Sequence, residues 1–205
     1  MAGIKLPKPR DGAKALDAQP YTGSRHGDYI FRIHRDELEE DGRNEPPILS
    51  EILLVLKRDD RIFAVEDHRV EVNPSRLALV SSELDAANTP IAIDVIGDGI
   101  PNVVVETYSG GVHCCFSYFI FELGEHFRLI NHIDAGDYPI WFRQHDNEPG
   151  LEIKLGDVNF LYWKTGFAGS PVPRVLLKYR NGRDRPDPKL MREPPHGPRN
   201  TEEVG

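Results

Sequence analysis

The sequence predicts an all-β protein built from antiparallel sheets, arranged either as propeller-like blades or as a sandwich. Short runs of alternating apolar and polar residues recur along the chain, and turn residues separate them at intervals of about 8–12 residues. No long amphipathic helix with capping residues interrupts them. Of the 205 residues, 39% are apolar, which suits one packed domain of ordinary size.

Proline and charge mark the ends of the predicted domain. Residues 1–27 show no apolar period and predict an extended N-terminal arm. Residues 183–205 are rich in Pro and charged side chains and predict an irregular C-terminal tail. A single β domain is therefore expected over residues 28–182.

Within this domain the strands follow from alternation and from turn residues. The apolar run 48–56 fits either a buried strand or a short helix, and Asp59-Asp60 behind it indicates a hairpin turn, which favours the strand. The other predicted strands are 28–34, 61–66, 70–72, 77–80, 91–95, 102–108, 113–123, 127–132, 151–155, 159–163 and 174–179.

Charge and hydropathy exclude two classes of partner. The net charge is −8, from 33 acidic and 25 basic side chains, which disfavours binding to nucleic acid. No run of about 18 apolar residues occurs, so no membrane span is expected. The first 20 residues hold no apolar signal segment. The chain as written is therefore expected in the cytoplasm, and in the periplasm or outside the cell if a signal was removed.

Two stretches of the central region carry a family resemblance. The segment Asp94-Val-Ile-Gly-Asp98-Gly-Ile-Pro-Asn102 before three valines resembles the FG-GAP/VCBS type of β-propeller repeat, and a weaker copy lies at residues 145–152. The stretch Ser109-Gly-Gly-Val-His113-Cys-Cys is similar to a group of bacterial proteins with a Gly-Gly-x-His-Cys-Cys stretch. The resemblance covers about residues 91–180 and implies blade-like sheets.

The same resemblance implies a calcium site with Asp94, Asp98 and Asn102 as ligands. Ile96 stands where such repeats usually have another Asp or Asn, which removes one ligand. The alternative is a tight turn in which the Asp side chains accept backbone N–H groups. Because hard cations take six or more oxygens, the sequence favours the tight turn, with no cofactor required and Ca²⁺ as the ion the motif suggests.

The adjacent cysteines leave several alternatives open. Cys114 and Cys115 are either two packed side chains or a vicinal disulfide. Strand alternation puts His113 and Cys115 on one face, where they form half of a transition-metal site that His132 or His145 would complete. A nucleophilic cysteine with His113 as its base is the remaining alternative.

Two further features are candidate sites. Residues 134–137 and 145–152 are acidic loops, and we expect them to be solvated. Aromatic residues crowd the second half of the chain, where they are expected in the core, with an exposed carbohydrate-stacking or protein-binding face as the alternative. These aromatic residues are Tyr118, Phe119, Phe121, Phe127, Trp141, Phe142, Phe160, Tyr162 and Trp163.

Phosphate-binding, dinucleotide-binding, serine-hydrolase and zinc-protease motifs are all missing from the sequence. The sequence therefore favours a non-catalytic binding or structural module of the bacterial cell envelope or exterior. Its expected partner is another protein, or a second copy bound through the terminal arms. The alternative function is a metal-binding or thiol-dependent enzyme centred on the His-Cys-Cys strand.

Overall fold

The computed structural model describes residues 20–38, 48–73, 93–111 and 114–192, and the fold is given for these residues. Twelve strands and two short 3₁₀ turns lie in the described ranges. The strands are β1 (Thr22–His26), β2 (Tyr29–Leu38), β3 (Ile48–Lys57), β4 (Asp60–Asp67), β5 (Arg69–Val72), β6 (Asn102–Gly111), β7 (Cys114–Leu123), β8 (Phe127–Gly136), β9 (Trp141–Arg143), β10 (Glu152–Gly156), β11 (Arg174–Arg180) and β12 (Arg183–Pro186).

The strands form three four-stranded antiparallel sheets, each of which follows the order of the chain. The first sheet is β1-β2-β3-β4, the second is β5-β6-β7-β8, and the third is β9-β10-β11-β12. The predicted all-β fold with antiparallel sheets is confirmed. No helix in the described ranges has the length and apolar character that crossing a membrane requires.

The second sheet lies between the other two and is packed on both faces. From β6, Val103 and Val105 enter a core shared with the first sheet, where Phe63 is one of their partners. Val104 enters a second core shared with the third sheet, which includes Phe142. Successive side chains of a strand point to opposite faces. The continuous valine run is therefore buried because each face of this sheet is covered by a neighbour.

The predicted strand at residues 159–163 is wrong. The chain there forms a 3₁₀ turn over Val158–Phe160, and Tyr162 has a positive φ of 62°. A bulky residue in the left-handed region cannot continue a strand. The alternating aromatic side chains that suggested a strand lie instead on a long loop between β10 and β11.

The strand predicted at 91–95 is also shorter than expected. Ile93 makes a single antiparallel bridge to Asn102, and the residues after it turn away toward the glycines. The first two residues of this prediction lie outside the described part of the chain, as does the strand predicted at 77–80.

The sheets extend into both segments that the sequence assigned to irregular arms. β1 lies within residues 1–27 and pairs with β2. β12 lies within residues 183–205 and pairs with β11. The remaining parts of the two predicted arms, residues 1–19 and 193–205, lie outside the described residues.

Candidate functional site

The turn that precedes β6 is held together by Asp94. Its Oδ1 accepts the backbone N–H groups of Gly97 at 2.7 Å and Asp98 at 3.2 Å, and its Oδ2 accepts that of Gly99 at 2.9 Å. Both carboxylate oxygens therefore already have donors inside the loop. This hydrogen bonding is the kind expected of the tight-turn alternative.

The other two predicted calcium ligands have similar partners. Asp98 Oδ1 accepts the N–H of Ile100 at 3.0 Å. Asn102 is fully buried at the start of β6, and its Oδ1 accepts the N–H groups of Val95 at 2.8 Å and Ile96 at 3.2 Å. Its Nδ2 is buried without a hydrogen-bond partner. The structure thus brings the three side chains to one loop, and each supports the loop backbone.

A second turn, before β10, packs directly on the first. Gly97 and Gly150 have φ angles of 81° and 85°. A Cβ at Gly97 would lie 2.6 Å from the backbone of Pro149, and one at Gly150 would lie 2.9 Å from the backbone of Ile96. The Leu151 N–H donates to Val95 O at 2.8 Å. The two segments that carry the repeat resemblance are therefore neighbours in space.

The second turn contains a buried ion pair. Glu152 begins β10 with no exposed surface, and Lys178 on β11 is 4% exposed. Lys178 Nζ lies 2.6 Å from Glu152 Oε1 and 2.6 Å from Asp146 Oδ1. The other oxygen of Glu152 accepts the His145 N–H at 2.6 Å. Glu148 Oε2 lies 3.5 Å from the same Nζ, so three carboxylates surround one ammonium group.

Electrostatics favour the charged forms of Lys178 and Asp146. Burial of Lys178 opposes its charge, but hydrogen bonds to Asp146 and Glu152 outweigh burial and raise the pKa of Lys178. The hydrogen bond from Lys178 lowers the pKa of Asp146. The sequence did not reveal this pairing, because Glu152 and Lys178 meet only through the register of β10 with β11.

Cys115 is the second residue of β7, close to the connection from β6. It is disulfide-bonded, and its N–H donates to Ser109 Oγ at 2.7 Å. The only other cysteine in the sequence is Cys114, whose side chain lies outside the described part of the structure, as does all of His113. The predicted pairing of Cys114 with Cys115 and the predicted His113 site therefore stay predictions.

The two histidines suggested as a third metal ligand lie elsewhere. His132 pairs with Phe119 and stacks on its ring at 4.5 Å between ring centroids, about 13 Å along β7 from Cys115 at 3.3 Å per residue. His145 is exposed on the turn before β10. His68 does approach the hairpin, since a Cβ on Gly110 would lie 2.6 Å from its imidazole ring.

The acidic loops were expected to be solvated, which is wrong for residues 145–152, because Glu152 is fully buried and pairs with Lys178. The loop at residues 134–137 makes local contacts. Asp134 is exposed and accepts the Gly136 N–H at 3.3 Å, while Asp137 has a buried Oδ1 without a hydrogen-bond partner. Across the described ranges, no group of three or more His, Cys, Asp or Glu side chains is placed to hold a metal ion.

The loop between β10 and β11, residues 157–173, presents three exposed aromatic side chains, and we call it the aromatic loop. Tyr162 is 63% exposed, Trp163 is 55% exposed and Phe160 is 37% exposed. Trp163 lies edge-on to Phe160, with 5.9 Å between ring centroids. The core position expected for these three aromatic residues is wrong, because the structure places them on the surface.

A partly buried acid lies between the second and third sheets. Asp184 on β12 accepts a hydrogen bond from Nδ2 of Asn131 on β8, and its Oδ1 is buried without a partner. Burial raises the pKa of Asp184 to about 6, against a smaller opposite effect of the Asn131 hydrogen bond. No pattern in the sequence indicates this acid, which lies in the segment predicted to be an irregular tail.

In comparisons with family models, with curated proteins and with solved structures, nothing matches the chain.

Proposed function

We propose that the protein is a non-catalytic binding module and that the aromatic loop is its binding surface. The observation that carries this proposal is the exposure of Tyr162 and Trp163, 63% and 55%, on a loop with a defined backbone. Tyr and Trp supply large contact areas at a low cost in side-chain entropy, and they are the residue types enriched at protein interfaces.

The backbone of the loop holds these rings in place. The Tyr162 N–H donates to Ser170 Oγ at 2.7 Å, and the Ser170 hydroxyl donates to Gly166 O at 3.1 Å. Tyr162 and Lys164 have positive φ angles of 62° and 60°, a conformation that costs non-glycine residues about 1–3 kcal/mol each and is concentrated at functional sites. The surrounding hydrogen bonds offset that cost, so the rings are presented in one arrangement.

The occupant that fits this surface best is a proline-rich segment of a second copy of the chain. Proline-rich segments bind aromatic surfaces because they lose little conformational entropy and their rings stack on Tyr and Trp. Such a segment, Pro194-Pro195-His196-Gly197-Pro198, is present in this sequence. The exposure of Tyr162 and Trp163 leaves them accessible to another molecule.

Tryptophan fluorescence tests this proposal. The chain has two tryptophans, so Trp141→Phe leaves Trp163 as the reporter. We expect a synthetic peptide covering residues 190–205 to change its emission saturably, and a matched peptide with the three prolines of residues 194–198 replaced by alanine to have no effect. Sedimentation of the full chain should show an association that Tyr162→Ala removes. A flat titration with both peptides and a monomer at every concentration would overturn the proposal.

The disulfide at Cys115 supports a location in the cell envelope or exterior, because disulfides persist mainly in oxidising compartments. Thiol titration of the denatured protein, with alkylation at the moment of lysis, tests this. We expect no free thiol in the native source, and two free thiols per chain would contradict the proposed compartment.

A further inference from the structure

A groove opens between the first and second sheets, and none of the residues that line it belongs to the aromatic loop. Its volume is about 400 Å³, within the range of about 300–1,000 Å³ that is usual for small-molecule sites. The buried side chains of Phe31, Ile33 and Val70 form an apolar floor. β1 and β5, which border the groove, are edge strands of their sheets in the described part of the structure.

One wall of the groove carries a fixed guanidinium group. Arg35 Nε donates to Glu51 Oε1 at 2.9 Å, and the guanidinium carbon lies 3.4 Å from the centre of the Tyr21 ring. The second oxygen of Glu51 accepts the Val70 N–H at 2.8 Å. Both oxygens of Glu51 are thus engaged inside the protein, and the side chain of Arg35 remains 43% exposed.

The opposite wall is the edge strand β5, from which Val70 and Val72 contribute apolar side chains. Arg69 Nη2 donates to Glu106 Oε1 at 3.3 Å, and Glu106 is 1% exposed while the Arg69 side chain is 41% exposed. Glu71, 3.6 Å from Arg69 Nε, is the partly exposed acid of this wall. Arg69, Glu71 and Glu106 lie on the face of the second sheet opposite Val70, because successive side chains of a strand alternate, so Arg35 is the guanidinium group that faces the groove.

We propose that this groove binds a small monocarboxylic acid with an apolar body. The apolar floor removes the apolar surface of the ligand from water, and this burial is the main source of affinity in such a site. The groups at the mouth that donate to an anion are Arg35 and the hydroxyl of Ser24, and guanidinium matches carboxylate geometry with two parallel hydrogen bonds.

Calorimetric titration with octanoate, octanol and octylammonium separates the contributions of charge and apolar surface. We expect octanoate to bind saturably, with a Kd at least tenfold lower than that of octanol or octylammonium. Arg35→Gln should raise the octanoate Kd at least tenfold. Arg25→Gln is the matched control, because Arg25 is exposed on β1 and does not line the groove, and it should leave the Kd unchanged.

Since Arg35→Gln also removes the partner of a buried acid, a second variant is needed. Ser24→Leu fills the mouth of the groove without touching the Arg35–Glu51 pair, and it should weaken octanoate binding at least tenfold while the circular dichroism spectrum stays that of the wild type. Equal affinity for the three probes, no saturable octanoate binding, or unchanged binding in Ser24→Leu would each overturn the proposal. The aromatic loop has no part in any of these outcomes.

Discussion

The turns before β6 and β10 each end at a buried hydrogen-bond acceptor on the first residue of the following strand. One acceptor is an amide and the other is a carboxylate. In the first turn, Asn102 is the first residue of its strand and accepts two N–H groups of the preceding loop. In the second, Glu152 is the first residue of its strand and accepts one such N–H, from His145. The second turn therefore buries a full negative charge where the first buries a neutral amide.

This difference determines what each turn needs from the rest of the protein. The first turn is satisfied locally, because Asp94 and Asn102 together accept five backbone N–H contacts within the loop. The second requires a cation from another strand, which Lys178 supplies at 2.6 Å. An isolated buried carboxylate is expensive, so the charge in the second turn links its stability to the pairing of β10 with β11.

Removing the cation should produce the largest effect. Lys178→Met leaves Glu152 buried and unpaired, and we expect a loss of about 3–5 kcal/mol in the free energy of unfolding. Urea unfolding at pH 7 measures it. In the double variant Lys178→Met with Glu152→Gln the amide still accepts the His145 N–H, so most of the loss should be recovered. A single variant that loses less than about 1 kcal/mol would show that water reaches Glu152.

Two glycines of the first turn separate backbone strain from close packing. Gly97 and Gly99 have φ angles of 81° and 84°, but a Cβ on Gly99 would meet nothing within 4 Å, whereas one on Gly97 would lie 2.6 Å from Pro149. We expect Gly99→Ala to cost about 1–2 kcal/mol from conformation alone. Gly97→Ala should cost about 1–3 kcal/mol more, since it must separate the two turns. Equal shifts in the urea midpoint for the two variants would indicate that packing between the two turns does not contribute to stability.

Asp184 shows what a buried acid does without a cation. Its pKa is raised to about 6 by burial, compared with about 3.9 for an unfolded Asp. The folded state therefore binds the proton more tightly, and the free energy of unfolding should fall as the pH rises from about 4 to about 6, by about 2 kcal/mol.

Asp184→Asn should remove that fall and raise stability at pH 7 by a similar amount. Asp146 does not disturb this window, because its pKa is lowered and its contribution is lost only at more acid pH. Urea midpoints measured across pH 4–7 in both proteins give the result. Parallel profiles for the two would mean that Asp184 is ionised in the folded protein without penalty.

The sequence predicted local features of the fold well where the hydrophobic period was strong. β3 and β4 were predicted from an apolar run and a two-residue turn, and the structure has them at Ile48–Lys57 and Asp60–Asp67. The error at residues 159–163 has a physical cause, since aromatic side chains at alternate positions resemble a strand until the backbone reverses at Tyr162. Its positive φ depends on Ser170 eight residues later.

The sequence could not predict the features that depend on tertiary contacts. Lys178 looks like an ordinary charged residue of a strand, and its role follows only from the register that sets it opposite Glu152. The groove between the first two sheets joins Phe31 and Val70, which belong to different sheets. The Asp94–Asn102 turn, by contrast, is local, and both of its interpretations follow from residues that are close together in the chain.

The smallest effect should come from calcium. A cation at the first turn would have to compete with the three N–H groups that Asp94 already accepts, and Ile96 supplies no side-chain oxygen. Hard cations take six to eight oxygens, so we expect millimolar Ca²⁺ or EDTA to shift the melting temperature by less than about 1 °C. The matched variant Ile96→Asp restores the missing carboxylate of the repeat and should gain a Ca²⁺-dependent stabilisation. If Ca²⁺ already raises the melting temperature of the wild type by several degrees, the loop rearranges around the ion. The two turns would then differ in the ligand that they bind rather than in the charge that they bury.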